Sequence, residues 1–204
     1  MGKNYQVSLE IEGPAAMFTR PDSGAAPISY PAPTYSAVKG IFEAIARFKS
    51  AYIRPVKVEI CAPIKFHKYV TNYRGPLRKD NQIKTGTSYQ IPATILIDVC
   101  YRIYGIVEAV AEAPYGNNHL HALQEIFMRR LEKGQCFYTP CLGWKEFIPS
   151  YIGPFRKKTK VETSINQILP SMLYSVFNKP INGNIEPEYR QNVEIREGKL
   201  KYDK

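Results

Sequence analysis

The chain has 204 residues, 44% hydrophobic and 23% charged, which excludes a disordered or collagen-like polymer and leaves enough material for a full core. Lys and Arg total 28 against 18 Asp and Glu, a net charge of +10 that points to an acidic partner such as nucleic acid, an anionic membrane or an acidic protein face. Glu10 and Glu12 stand where a secretory signal would be apolar, and the most apolar run, 91–113, carries Asp98, Arg102, Glu108 and Glu112. The expectation is a cytoplasmic protein with no membrane span.

Residues 5–12 alternate, with Tyr5, Val7, Leu9 and Ile11 on one face and Gln6, Ser8, Glu10 and Glu12 on the other, the pattern of a half-buried strand. Gly13-Pro14 is expected to end it. A loop rich in Pro, Gly and Ala then runs to Pro33, long enough to be functional or an interaction arm. Thr34 fits a helix N-cap, and Tyr35, Val38, Phe42 and Ile45, widened by Ile41 and Phe48, recur at helical spacing to about residue 49. Strands are expected at 56–60 and 64–70. The polar segment 71–88 has no helical or strand period and is punctuated by Gly75-Pro76 and Thr85-Gly86, so it reads as an arm projecting between two strands. Alternation resumes over 91–104. Asn117 or Asn118 can cap a second helix with the stripe Leu120, Leu123, Phe127 and Leu131, closed by Lys133-Gly134.

This order is β-α-β-β-α-β, which places the chain in the α+β class with a ferredoxin-like (RRM/RAMP) domain. The C-terminal part reads as strands at 142–143, 144–151 and 171–177, then a hairpin over 191–202 turning near Glu197-Gly198. The basic run Arg156-Lys157-Lys158-Thr159-Lys160 marks the expected boundary. The division is 1–155, with a basic insertion near 71–88, and 156–204, a small β region.

Cations and rings interleave in the middle of the chain: Lys65, Phe66, His67, Lys68, Tyr69, Tyr73, Arg74, Arg78, Lys79, Lys84 and Tyr89. Cations neutralise phosphates and rings stack on unpaired bases, a combination suited to single-stranded nucleic acid. A solvated sheet edge explains the lysines, which block edge pairing, but not the aromatics. His119 and His121 diverge on a helix and make a poor joint metal site. His121 can act as a general acid or base, or be structural. Cys61 and Cys100 sit in apolar runs, and Cys136 and Cys141 form a C-x4-C pair without a second ligand pair, so ordinary thiols are expected. With no P-loop, G-x-S-x-G, H-E-x-x-H or acidic metal cluster, the expectation is no metal and no cofactor.

The block from Glu10-Ile11-Glu12-Gly13-Pro14 to Arg20-Pro21, followed by Ser29-Tyr30-Pro31-Ala32-Pro33-Thr34-Tyr35-Ser36-Ala37-Val38-Lys39-Gly40-Ile41, resembles the CRISPR-associated Cas five family of the RAMP superfamily, subtype I-C (the Dvulg type). The second helix, Asn117-Asn118-His119-Leu120-His121 through Lys133-Gly134, is a looser match. The resemblance implies a Cascade subunit that grips the 5′ handle of the CRISPR RNA, caps the Cas seven filament and contacts the Cas eight large subunit, meeting target DNA through the complex. It places Tyr35 and Lys39 beside the handle. It also implies metal-independent cleavage of precursor RNA, carried in this subtype by a Tyr after the first helix and a Lys-His pair opening the second. Those positions hold Ala46, Leu120 and His121, so only the imidazole is present, with His119 and Lys49 as nearby substitutes. The expectation is therefore an RNA-binding subunit first and an endoribonuclease second. A basic RNA binder outside any complex, and a purely structural assembly subunit, are the other classes open to this composition.

Overall fold

In a computed structural model, residues 5–24, 26–73, 78–112 and 118–202 are described. The elements in order are β1 (Gln6–Ala16), a 3-10 turn (Pro21–Ser23), α1 (Tyr35–Ile45), β2 (Ala51–Ile60), β3 (Phe66–Tyr73), α2 (Asp80–Lys84), β4 (Tyr89–Ala109), α3 (His119–Glu132), β5 (Tyr151–Gly153), β6 (Gln167–Phe177), β7 (Ile185–Arg196) and β8 (Lys199–Lys201). The architecture is mixed α and β, built on a curled antiparallel sheet. Its strand order is β5-β1-β4-β2-β8-β7-β6, with β3 paired to the first part of β4. The C-terminal strands join the same sheet, because β8 pairs with β2 from Lys57↔Lys201 to Glu59↔Lys199.

Several boundaries differ from the sequence expectation. β1 does not stop at Gly13-Pro14 but runs to Ala16, with Gly13 opposite Val99 and Ala15 opposite Ile97. Between those pairs Pro14 has no N–H to give, and Asp98 adopts a positive φ of 53°. β2 starts at Ala51, not 56, and carries Pro55 inside it; the register shifts between Pro55 and Lys57, and such a bulge accommodates a proline. α1 ends at Ile45, not near 49, since Ala46 turns extended at φ −145° and ψ 132°. The expected strands at 142–143 and 144–151 are turns, and only Tyr151–Gly153 is strand. The 71–88 segment is more regular than its composition suggests. β3 continues to Tyr73 and α2 occupies Asp80–Lys84, fixed by local polar bonds such as Gln82 Oε1 accepting from the Lys79 N–H at 2.9 Å. Part of that segment, 74–77, lies outside the described residues.

α1 and α3 share one core with the sheet. Leu9, Ile11, Val38, Phe42, Ile53, Ile103, Leu123 and Phe127 are all at most 2% exposed. Thr34 is the N-cap of α1, its Oγ1 accepting from the Ala37 N–H at 3.2 Å. α3 closes on Gly134 at φ 63°, with Gln135 N–H bonded to Arg130 O at 2.8 Å and Gly134 N–H to Leu131 O at 3.4 Å. Gly105 lets α1 approach the sheet: a Cβ there would lie 2.6 Å from Ile53 Cγ2 and 2.8 Å from the Phe42 ring.

Glu10, next to Leu9 and Ile11 but on the alternate side of β1, is fully buried. It accepts from Arg156 Nε at 2.6 Å, the Arg156 N–H at 3.1 Å, Thr159 Oγ1 at 2.6 Å and Arg102 Nε at 3.2 Å. Burial alone would raise its pKa; the bonds from Thr159, Arg156 and Arg102 outweigh that and hold it below the usual carboxylate range.

Candidate nucleic-acid interface

The β3–β4 hairpin runs in continuous register from Phe66↔Leu96 to Tyr73↔Tyr89. It brings together most of the basic and aromatic residues singled out from the sequence. His67, Lys68, Lys79 and Lys84 are exposed. Lys65 is also exposed and pairs with Asp98 at 3.4 Å. Arg78 donates to the Thr87 carbonyl at 3.1 Å, bracing α2 against the start of β4. Tyr73 is placed through its backbone opposite Tyr89, and Arg74 lies outside the described residues.

The rings divide into two groups. Tyr69 is half-buried and packs edge-on against Phe147 at 5.7 Å, and Phe147 stacks on Trp144 at 5.9 Å. Burial, with Glu146 beside it, raises the Tyr69 pKa. Tyr69 therefore ties the hairpin to the 142–147 turn. Phe66 and Tyr89 are 48% and 43% exposed, and they offer the free ring surface that base stacking requires. Among the aromatic residues of the hairpin their exposure singles them out, a signal that composition alone does not contain.

Tyr35 and Lys39 lie elsewhere, on α1. Tyr35 is only 7% exposed, stacks on Tyr174 at 4.2 Å and meets Tyr202 edge-on at 5.9 Å. Burial, with Tyr52 and Tyr174 nearby, drives its hydroxyl pKa far above the ordinary value. Lys39 pairs with Glu43 one turn on, at 2.6 Å.

The remaining candidates sit where α1 ends and α3 begins. Ala46 is 3% exposed, and its N–H closes α1 onto Phe42 O at 3.0 Å. Chain from α3 and beyond bonds the two carbonyls before it: Arg130 donates to Ile45 O at 2.8 Å, and the Phe137 and Tyr138 N–H groups donate to Ala44 O at 2.7 and 3.1 Å. Leu120 packs against the core. His121 is exposed, with its N–H bonded to the Asn118 cap at 3.1 Å and its ring 5.9 Å from that of Tyr5. The Tyr5 hydroxyl accepts from Asn118 Nδ2 at 2.6 Å. A phenol thus stands beside the imidazole, although it comes from the start of β1 and not from position 46. His119 is half-buried, its Nε2 without a hydrogen-bond partner among the described residues, and Lys49 is exposed.

Cys100, on β4, is buried, and Cys61, one residue past β2, is half-buried; both are free thiols. Among the described residues, no group of three or more His, Cys, Asp or Glu is placed to hold a metal ion, and no helix is long and apolar enough to cross a membrane.

The fold and this surface define a basic α/β protein with a curled antiparallel sheet and an exposed cation-and-ring hairpin. The family model described as CRISPR-associated protein (Cas_Cas5) matches residues 7–175, and the chain belongs to that family. A Mannheimia succiniciproducens protein named CRISPR pre-crRNA endoribonuclease Cas5d is 29% identical over 193 residues, spanning 84% of each chain. A Thermus thermophilus protein of the same name is 33% identical over 156 residues, spanning 73% of this chain and 64% of its own. These relatives agree with the subtype I-C resemblance of the N-terminal block. In fold, the chain matches a solved CRISPR-associated protein with a TM-score of 0.70 at 18% identity, over 100% of this chain and 95% of the other. A functionally uncharacterized Streptococcus mutans protein, SMU1763c, matches with a TM-score of 0.70 at 17% identity, over 98% and 92%.

Proposed function

We propose that this chain is a CRISPR-RNA-binding subunit of a type I Cascade complex, holding the 5′ handle of the CRISPR RNA. The observation that carries this reading is the β3–β4 hairpin, where exposed His67, Lys68, Lys79 and Lys84 share one projection with the exposed rings Phe66 and Tyr89. Cations supply sequence-independent affinity for phosphate, and exposed rings supply stacking for unpaired bases. In the full assignment the protein works in the cytoplasm, caps the Cas seven backbone, contacts the Cas eight large subunit and meets target DNA through them. The strand order β5-β1-β4-β2, with α1 between β1 and β2 and α3 between β4 and β5, supports a ferredoxin-like core of the RAMP kind. The purified protein should carry nucleic acid, read as absorbance at 260 against 280 nm, and should bind repeat RNA with an affinity that falls as salt rises. A protein that stays free of RNA and ignores repeat RNA at low salt contradicts this reading.

A second reading is favoured by the relatives' printed activity and by the pairing of His121 with Tyr5. In metal-independent cleavage the 2′-OH loses its proton to a base and attacks the adjacent phosphate. The 5′-oxygen leaves with a proton, and a 2′,3′-cyclic phosphate remains. Of the three positions in the subtype pattern, His121 alone carries a side chain that can take or give that proton. With Ala46 buried and Leu120 apolar, the stabilising phenol and cation of the subtype pattern are absent from their positions, which places binding ahead of cleavage.

A further inference from the structure

We infer that Lys157, Lys158 and Lys160 form a second contact for the phosphate backbone of single-stranded RNA, on the side of the sheet where Glu10 lies. The inference rests on the reading that the hairpin binds RNA and extends the path of the strand beyond it. The 154–160 segment has neither helix nor strand, yet it is fixed. Arg156 and Thr159 both bond to buried Glu10, and Arg102 Nη2 donates to the carbonyls of Arg156 and Thr159 at 2.9 and 2.8 Å. Just beyond, the Glu162 N–H bonds to Ile60 O at 2.8 Å. The two anchors turn inward, while Lys157, Lys158 and Lys160 are exposed around them.

These lysines line an open trough of about 1170 Å³ whose other wall includes Gly13, Cys61, Asp98 and Ser150. Of its carboxylates, Glu12 is held by Arg156, Asp98 pairs with Lys65, and Glu162 accepts from the Ser164 hydroxyl and N–H. Among the described residues none of them pairs with the three lysines, so the positive charge is left for a ligand. Its lining sets Arg156, Lys157, Lys158 and Lys160 against Glu12, Asp98 and Glu162, and the three lysines are the exposed part of that positive excess. A loop already ordered by its anchors also loses little entropy when it binds. The recess suits a polymer chain better than a flat lipid surface, and the ring of Phe155, in the same segment, is covered by Arg102 at 4.8 Å. Asp98 and its partner Lys65 stand at the rim, and Lys65 directly precedes β3, so a strand leaving the base of the hairpin meets the trough.

The test is fluorescence anisotropy of labelled single-stranded repeat RNA across a salt series, using the full chain. The triple variant Lys157→Ala, Lys158→Ala, Lys160→Ala should reduce the slope of log K against log salt by about 2, roughly 0.7 for each lost phosphate contact. Its melting temperature should stay at the wild-type value, because Arg156 and Thr159 are untouched. Arginine at the same three positions should restore the slope. A wild-type slope and affinity in the alanine variant overturn the inference. A parallel Lys68→Ala, Lys79→Ala, Lys84→Ala variant separates the two readings. If only the hairpin variant loses slope, the trough falls and the hairpin stands. If only the trough variant does, the trough stands and the hairpin falls.

Discussion

Arg156 clasps Glu10 across 146 residues of chain, with its Nε 2.6 Å from one carboxylate oxygen and its own N–H 3.1 Å from the other. The contact joins the first strand to an irregular segment after β5, and it makes a buried negative charge tolerable. Glu10→Gln removes the charge that Arg156 and Arg102 both bond, while Arg156 keeps Glu12 and stays partly exposed, so stability should fall by about 1–3 kcal/mol at pH 7. The folded carboxyl titrates below its ordinary value of 4.5, so its stabilisation is complete above that pH and is lost as pH falls through the depressed folded value. Urea midpoints of wild type and Glu10→Gln should therefore differ most at neutral pH and converge in acid. A gap that widens below pH 4.5 contradicts this account of Glu10.

Tyr35 is a core residue by its surroundings, stacked on Tyr174 and 7% exposed. Tyr35→Phe should keep RNA affinity within about twofold, since the ring and its stacking remain. Tyr35→Ala should cost about 3–5 kcal/mol by opening a cavity. A large affinity loss in Tyr35→Phe at unchanged stability would instead assign the hydroxyl to RNA.

On the hairpin, the exposed and the packed rings should behave differently. Tyr89→Ala and Phe66→Ala should each weaken RNA binding by about 1–3 kcal/mol with little change in stability. Tyr69→Ala should lower the melting temperature first, because its ring is engaged with Phe147. Anisotropy and thermal melts on the same preparations check both.

Ala46 is 3% exposed and belongs to the core, so Ala46→Tyr should cost about 1–3 kcal/mol through overpacking, read as a lower unfolding midpoint. With Leu120→Lys added, a partial gain of repeat cleavage is expected that depends on His121. No gain in a folded double variant would count against descent of this surface from a nuclease-type site.

Local patterns carried much of the fold. The Thr34 cap, the stripe Tyr35, Val38, Phe42 and Ile45, the second helix with its Gly134 end and the turn at Glu197-Gly198 were legible because each follows from neighbours in sequence. Distant contacts were not legible. α1 stops at Ile45, where Ala44 O is taken by Phe137 and Tyr138, about ninety residues away in sequence. Pro55 lies outside the expected strand 56–60, yet the strand includes it beside a register shift. The basic run at 156–160 reads as a boundary, yet Glu10 pins it to the sheet. The site followed the same rule: the cation-and-ring composition was visible, while the split between packed Tyr69 and exposed Phe66 and Tyr89 required the packing.

The most direct test of the central claim is to incubate the purified protein with labelled repeat RNA in EDTA and follow both retention and integrity of the strand under single-turnover conditions. The RNA should be bound at low salt, released at high salt and recovered intact. Rapid cleavage leaving a 2′,3′-cyclic phosphate and abolished by His121→Ala, or no retention at any salt, would contradict that claim.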